Sequence, residues 1–137
     1  CISYLTIELR SSIPHEFRRA IDNRIYGCDD CQLVCPWNRF AQTSEQADFS
    51  TRHHLDDIAL AELARWTEQE FLDRMQGSAI RRIGHECWQR NIAVALGNAG
   101  DTPEVRGALS MLNNVASELV REHARWALDN LDRLSRD

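Results

Sequence analysis

Three features of the sequence predict a mainly α protein built in two parts. Three of the five cysteines fall within eight residues, Cys28-Asp29-Asp30-Cys31-Gln32-Leu33-Val34-Cys35, spaced C-x2-C-x3-C and followed at once by Pro36. From Leu55 onward, apolar residues recur at helical spacing, with helix-start signals ahead of several runs. Ala95-Leu96-Gly97-Asn98 then recurs as Ala127-Leu128-Asp129-Asn130, a shift of 32 residues. Together these divide the chain into a truncated ferredoxin-like 4Fe–4S module at residues 1–40, a connector at 41–57, and a HEAT-like α-helical repeat domain at 58–137.

The cysteine spacing is the second half of the bacterial ferredoxin run C-x2-C-x2-C-x3-C-P, whose thiolates hold 4Fe–4S clusters. A short turn brings Cys28 and Cys31 to one cubane, and backbone N–H groups there can bond its sulfides. Cys35 then points the other way, and Pro36 ends the turn because it cannot continue a helix. The usual first cysteine is missing, since Ile25 stands three residues before Cys28. Cys1 is the upstream candidate. Cys1, Cys28 and Cys31 are therefore expected to share one cluster, with Cys35 serving a second. Four thiolates are half of the eight that two such clusters need, and the chain begins on a cysteine. It reads as the C-terminal piece of a longer protein. A closed zinc site of four cysteines is the rival. The x3 gap and the proline favour iron and sulfur. A catalytic thiol has less support, because no motif pairs a cysteine with a base.

Residues 1–9 are β-rich and mostly apolar, and are expected to form a short strand or extended segment that delivers Cys1. Ser12-Ile13-Pro14 starts a helix whose face carries Phe17, Ala20 and Ile21. The connector is polar and acidic. A metal site at His53-His54 with Asp56 or Asp57 is weak, because adjacent histidines are not a usual ligand spacing, and a solvated loop is the reading. A helix is expected from Leu55 to Trp66. Thr67-Glu68-Gln69-Glu70 is a capping box, followed by Phe71, Leu72 and Met75 on one face. A long helix from about Gly84 to Ala99 should bury Trp88, Ile92, Ala95 and Leu96. Asp101-Thr102-Pro103 starts the next, and the last runs from about Ser117 to Leu134. These tail helices should pack antiparallel, with Leu109, Leu112, Leu119, Trp126 and Leu131 inside. Cys87 reads as a buried structural cysteine, and His85 and His123 as satisfied or partly exposed. Asn91 is either a nucleic-acid contact or, as preferred, part of a core network.

Composition narrows the function. Hydrophobic content of 43% and charged content of 27% are globular values. No run approaches the roughly 20 apolar residues that a membrane helix needs. An odd cysteine count argues against a disulfide scaffold and for a reducing compartment. The net charge of −5 does not advertise a nucleic-acid binder. Residues 42–76, with eight acids and three arginines, hold that excess. All 16 basic residues are arginine, whose planar fork suits phosphate and base stacking.

Cys1-Ile2-Ser3-Tyr4-Leu5-Thr6-Ile7-Glu8, then Gly27-Cys28-Asp29-Asp30-Cys31-Gln32 and Val34-Cys35-Pro36-Trp37-Asn38, resemble epoxyqueuosine reductase. Arg90-Asn91-Ile92-Ala93-Val94-Ala95-Leu96-Gly97-Asn98 is similar to that family's tail. The likeness runs through most of the chain. It implies a cobalamin-dependent oxidoreductase with two 4Fe–4S clusters. Such an enzyme removes the epoxide oxygen from epoxyqueuosine in the tRNA anticodon loop, giving queuosine. A cytoplasmic monomer fed by an electron donor protein or reductant is the accompanying expectation. The family's cobalamin domain is absent here, so the catalytic acid is unknown and this piece alone should be inactive. Ser3, Cys28 and Asp29, beside the ligands, are expected to touch the corrin. Arg81, Arg82 and Arg90 gather near the start of the long helix, where backbone N–H groups favour anions. With the resemblance, they become the expected tRNA-backbone contacts. The alternative is a non-catalytic iron–sulfur electron-transfer module with a helical protein-binding domain.

Overall fold

A computed structural model describes residues 1–136. Asp137, at the end of the expected helical domain, lies outside the described residues. Among those residues the regular structure is helical and no strand occurs. In chain order the α-helices are α1 (His15–Ile21), α2 (Asp30–Leu33), α3 (Leu60–Leu63), α4 (Glu68–Arg74), α5 (Gly84–Asn98), α6 (Pro103–Leu112) and α7 (Glu118–Leu134).

α5 is the axis of the fold. Every residue from Cys87 to Gly97 is buried. A helix covered all round must have neighbours on every side. α7 lies along one side. Ser117 Oγ meets Glu86 Oε1 at 2.6 Å near the starts of the two helices, and Asn130 Nδ2 donates to Gly97 O at 2.9 Å near their ends. The two helices thus run parallel, at an offset of 31 to 33 residues. α6 links them in the chain and packs against both. The other sides of α5 are covered by residues 5–25 and by α3 and α4. Leu5, Ile13 and Ile21 join the same apolar core as Trp88, Leu96, Leu109 and Leu131. Trp88 is sandwiched there, with Trp66 stacked on it at 6.0 Å and Phe71 tilted against it at 5.5 Å.

The helix starts follow their sequence signals. Thr67 and Glu70 form the reciprocal capping box on α4. Thr102 caps α6 with Pro103 at its first position, and Ser117 caps α7. Trp88, Leu96, Leu109, Leu112, Trp126 and Leu131 are buried as expected.

Three expectations need correction. Residues 1–9 are not extended. Leu5 N donates to Cys1 O, and Tyr4–Glu8 winds as a π-helix. Its carbonyls are held by side chains from α5, so tertiary bonding overrides the local β preference. The helix expected from Leu55 to Trp66 shrinks to Leu60–Leu63. Ala59 is extended, at φ −67° and ψ 140°, which breaks the helix on that side. On the other side Trp66 leaves the helix to stack on Trp88, with the Arg74 guanidinium 4.5 Å over its ring. Leu119 is half-buried rather than core. The inward stripe of α7 is Val120, Ala124, Ala127 and Leu131, and Leu119 sits one step off it.

Gly97 decides how closely α7 approaches. A Cβ there would meet Ala127 Cβ at 2.7 Å and Ala127 Cα at 2.8 Å. Ala normally improves a helix interior over Gly by about 1 kcal/mol, whereas overpacking costs about 1–3 kcal/mol. A main-chain atom cannot rotate away, so the clash should win. Gly97→Ala is expected to lower the melting temperature. Gly107→Ala, on α6 with nothing within 4 Å, should raise it or leave it unchanged. Thermal denaturation of the two variants checks the packing.

His123 adds a pH dependence. It is fully buried, and its Nε2 accepts from Ile13 N at 3.1 Å, which requires a neutral ring. Nδ1 lies 2.7 Å from Leu119 O and carries the proton. Burial pushes its pKa down to about 4 from 6.5; the Leu119 carbonyl and Glu122 oppose this, and Arg18 and Arg90 add to it. The unfolded chain therefore takes up a proton first as pH falls below 6.5. Stability should be intact above pH 6.5 and decline between 6.5 and about 4. Melting curves across that window should fall more steeply for the wild type than for His123→Gln, which does not titrate.

Candidate iron–sulfur ligand site

The cysteine loop is built from short, sharply turned pieces. Gly27 has φ +66° and Asp29 φ 54°, both left-handed, so the chain reverses just before α2. Cys31 lies in α2. Cys35 N donates to Gln32 O, and Pro36 then opens a 3-10 turn, Pro36–Phe40. Asn38 Nδ2 reaches back to Gln32 O at 2.5 Å and Leu33 O at 3.2 Å, pinning the end of α2. Gly27 N donates to Thr6 Oγ1 at 2.9 Å, which lays the Cys1 segment beside the Cys28 segment.

All five cysteines are free thiols. Cys1 and Cys31 are exposed, Cys28 and Cys35 half-buried, and Cys87 buried. Among the described residues no group of three or more His, Cys, Asp or Glu side chains is gathered around a single metal ion. Soft thiols spread over two adjoining segments fit an iron–sulfur cubane, which is larger than one ion. Cys28 and Asp29 also line a cavity of about 350 Å³ with Tyr26, Gly27, Ile80 and Trp88. Ser3 is not in its wall but lies against Gly27, its Oγ 3.4 Å from where a Gly27 Cβ would sit. The structure thus brings Ser3, Cys28 and Asp29 into one neighbourhood.

Residues 1–38 match a family described as a 4Fe-4S double cluster binding domain. Epoxyqueuosine reductase of Pseudomonas aeruginosa is 59% identical over 128 residues, covering 93% of this chain and 36% of that protein. Epoxyqueuosine reductase of Burkholderia pseudomallei is 56% identical over 140 residues, covering 93% of this chain and 34% of that protein. A crystal structure of epoxyqueuosine reductase with a tRNA-Tyr epoxyqueuosine-modified tRNA stem loop matches at a TM-score of 0.84 and 30% identity, over 96% of this chain and 35% of that one. The chain is related to the epoxyqueuosine reductases. It spans about a third of the length of the relatives it matches.

The three arginines expected to face tRNA part company. Arg81 and Arg82 are exposed in the 3-10 turn Ala79–Ile83 that leads into α5. Arg82 pairs with Glu8 at 2.7 Å, and that hydrogen bond holds the Glu8 carboxyl below its usual range. Arg81 forms no ion pair among the described residues. Arg90 must be withdrawn from the set, because it is fully buried. Its Nη1 donates to Leu9 O and Ser11 O at 2.8 Å each, and Nη2 to Leu5 O at 3.0 Å. Nε and Nη2 donate to Asn91 Oδ1 at 3.1 and 3.0 Å. All five guanidinium N–H groups are used, so none is left for phosphate.

The core-network reading of Asn91 holds, whereas Asn98 and Arg10, which also hold the module, were missed. Asn91 Nδ2 donates to Thr6 O and Ile25 O, and Asn98 Nδ2 to Arg18 O and Asp22 O. Arg10 donates to Ile83 O and Arg82 O. Asn98, at the end of the apolar run Ile92–Leu96, was the available signal, since Asn there needs a compensating partner. His53 and His54 line an open cavity with Asp57, Glu62 and Arg74, with no three-ligand set among the described residues.

Arg90→Leu would strand several buried carbonyls, each costing about 1–3 kcal/mol. A total loss of about 3 kcal/mol or more is expected from urea denaturation. Arg81→Ala should stay within about 0.5 kcal/mol of wild type, as exposed substitutions do.

Proposed function

We propose that this chain serves as one part of an epoxyqueuosine reductase, which reduces epoxyqueuosine to queuosine in the tRNA anticodon loop. The observation that carries this reading is 59% identity spread over 93% of the chain, so that cysteine module and helical tail are matched together. Cys1, Cys28 and Cys31 are assigned to one 4Fe–4S cluster, with a fourth ligand from elsewhere in the enzyme. Cys35 is assigned to a second. When bound, the clusters supply single electrons to a cobalamin. Ser3, Cys28 and Asp29, gathered beside the cavity at Gly27, are assigned to the corrin edge. The parallel packing of α5 and α7 at a constant offset supports a HEAT-like tail, slightly short of the usual repeat of about 40 residues. No helix among the described residues is long and apolar enough to cross a membrane.

The tail's share in tRNA binding is assigned to Arg81 and Arg82. They stand exposed where α5 begins, and the first N–H groups of a helix favour phosphate. α5 has no side-chain cap. Arginine forks placed there read a sugar–phosphate backbone and carry no sequence information, as befits an enzyme that recognises the loop base elsewhere.

The complete enzyme, purified without oxygen, is expected to hold about eight irons with acid-labile sulfide. A native preparation with zinc and no sulfide overturns the cluster assignment. The double variant Arg81→Ala, Arg82→Ala should bind tRNA more weakly and keep its iron. Its slope of log K against log salt should fall by about one unit per lost phosphate contact. An unchanged slope moves the RNA surface off this tail.

A further inference from the structure

The Cys1 and Cys28 segments meet at one side chain, Thr6. Its hydroxyl donates to Ile2 O at 2.8 Å and accepts from Gly27 N at 2.9 Å. Ile2 follows Cys1 and Gly27 precedes Cys28. The carbonyl of Thr6 accepts from Asn91 Nδ2 at 2.7 Å, and the same amide donates to Ile25 O at 2.9 Å. Asn91 Oδ1 is gripped in turn by Arg90. Thr6 and Asn91 are 1% exposed and Arg90 is 0% exposed. A closed set of hydrogen bonds therefore runs from the core helix α5 to the residues flanking two ligands.

Simple attachment does not require this. Apolar side chains at these positions would hold the module to α5 without the cost of burying an amide, a hydroxyl and a guanidinium. They would also let the segments slide. A hydrogen-bonded carbonyl is fixed in position and direction, because bonds bent or stretched beyond the normal range weaken steeply. A cluster needs its thiolates at set spacings, and residues behind metal ligands tune both affinity and electronic properties. The π-helical turn at Tyr4–Glu8, a form that clusters at functional sites, is the segment so constrained.

We propose that Thr6 and Asn91 are positioning residues for the iron–sulfur centre. They lock the Cys1 and Cys28 segments against each other, and so set how tightly the cluster is held and the potential at which it accepts an electron. This rests on the reading that Cys1 and Cys28 bind one cluster. Thr6 and Asn91 act through the backbone beside the ligands.

The test uses the complete, cluster-loaded enzyme. Iron and sulfide in the wild type are measured first; their absence sinks the underlying cluster reading and the positioning role with it, whereas a loaded wild type leaves the variants to decide the positioning role alone. Thr6→Val keeps the shape and removes the hydroxyl, whereas Thr6→Ser keeps the hydroxyl. Thr6→Val should lose iron to a chelator about tenfold faster. It should also show an altered electron paramagnetic resonance spectrum and a shifted midpoint potential. Thr6→Ser should match the wild type in all three. Leu96→Ala, a core lesion in the tail, should lower the melting temperature with a wild-type spectrum and potential. Where Thr6→Val does not fold, Thr6→Ala read in the same way decides. The proposal is overturned if the hydroxyl-free variant lowers only the melting temperature, if Thr6→Ser behaves like Thr6→Val, or if Leu96→Ala reproduces the same spectral change.

Discussion

The fold depends on the buried guanidinium of Arg90. Residues 1–13 run through a π-helical turn and an irregular stretch, so several of their carbonyls have no partner in regular structure. Buried carbonyls left unpaired cost free energy comparable to a lost hydrogen bond. Arg90 answers three of them from the middle of α5, and Asn91 answers a fourth. Burial pushes the Arg90 pKa down, as desolvation must, yet an arginine remains charged under ordinary conditions. Lysine could not replace it, with three donors against five and a point charge instead of a fork. Arg18 repeats the device nearby. It too is fully buried, donating to Ile13 O and to Glu122 while its guanidinium lies 5.4 Å over the Trp126 ring.

These polar anchors explain why the cysteine module and the helical tail are not two separate bodies. The connector separates them in sequence, but Leu5, Ile13 and Ile21 share one core with the tail. α5 is therefore buried on the side facing the module as well as on the side facing α7. Any change in how α5 sits is felt at both ends, through Gly97 toward Ala127 and through Asn91 toward Thr6 and Ile25.

Much of this was legible because it is local. The cap residues Thr67, Thr102 and Ser117, Pro103 after its cap, and the cysteine spacing all act within a few residues, and each appears where the sequence put it. What was not legible is long-range. The β-rich look of residues 1–9 gives way because partners some 80 residues away fix its carbonyls, as the Arg90–Leu5 bond at a separation of 85 shows. Arg90 read as a phosphate contact from its place near the helix start and from the family resemblance, although it sits in a helix buried from Cys87 to Gly97. It stands in the polar stretch Gln89-Arg90-Asn91, which gave no local sign of burial. Leu119 was misjudged by one residue of helical phase, an error that no amount of composition corrects.

The fate of the remaining arginines bears on the proposed contact with RNA. Sixteen cations seem ample for a phosphate surface until each is followed to its partner. Arg18 and Arg90 are buried. Arg82 holds Glu8, Arg106 bridges Asp101 and Asp132, and Arg121 and Arg125 share Glu118. Arg10 spends its guanidinium on the carbonyls at the start of α5. Neutralised pairs contribute little to the far field, which decays within about 10 Å at ordinary salt in any case. With a net charge of −5, the chain cannot draw RNA by general attraction. Contact through this tail has to be short-ranged, made by the few arginines that a helix terminus assists.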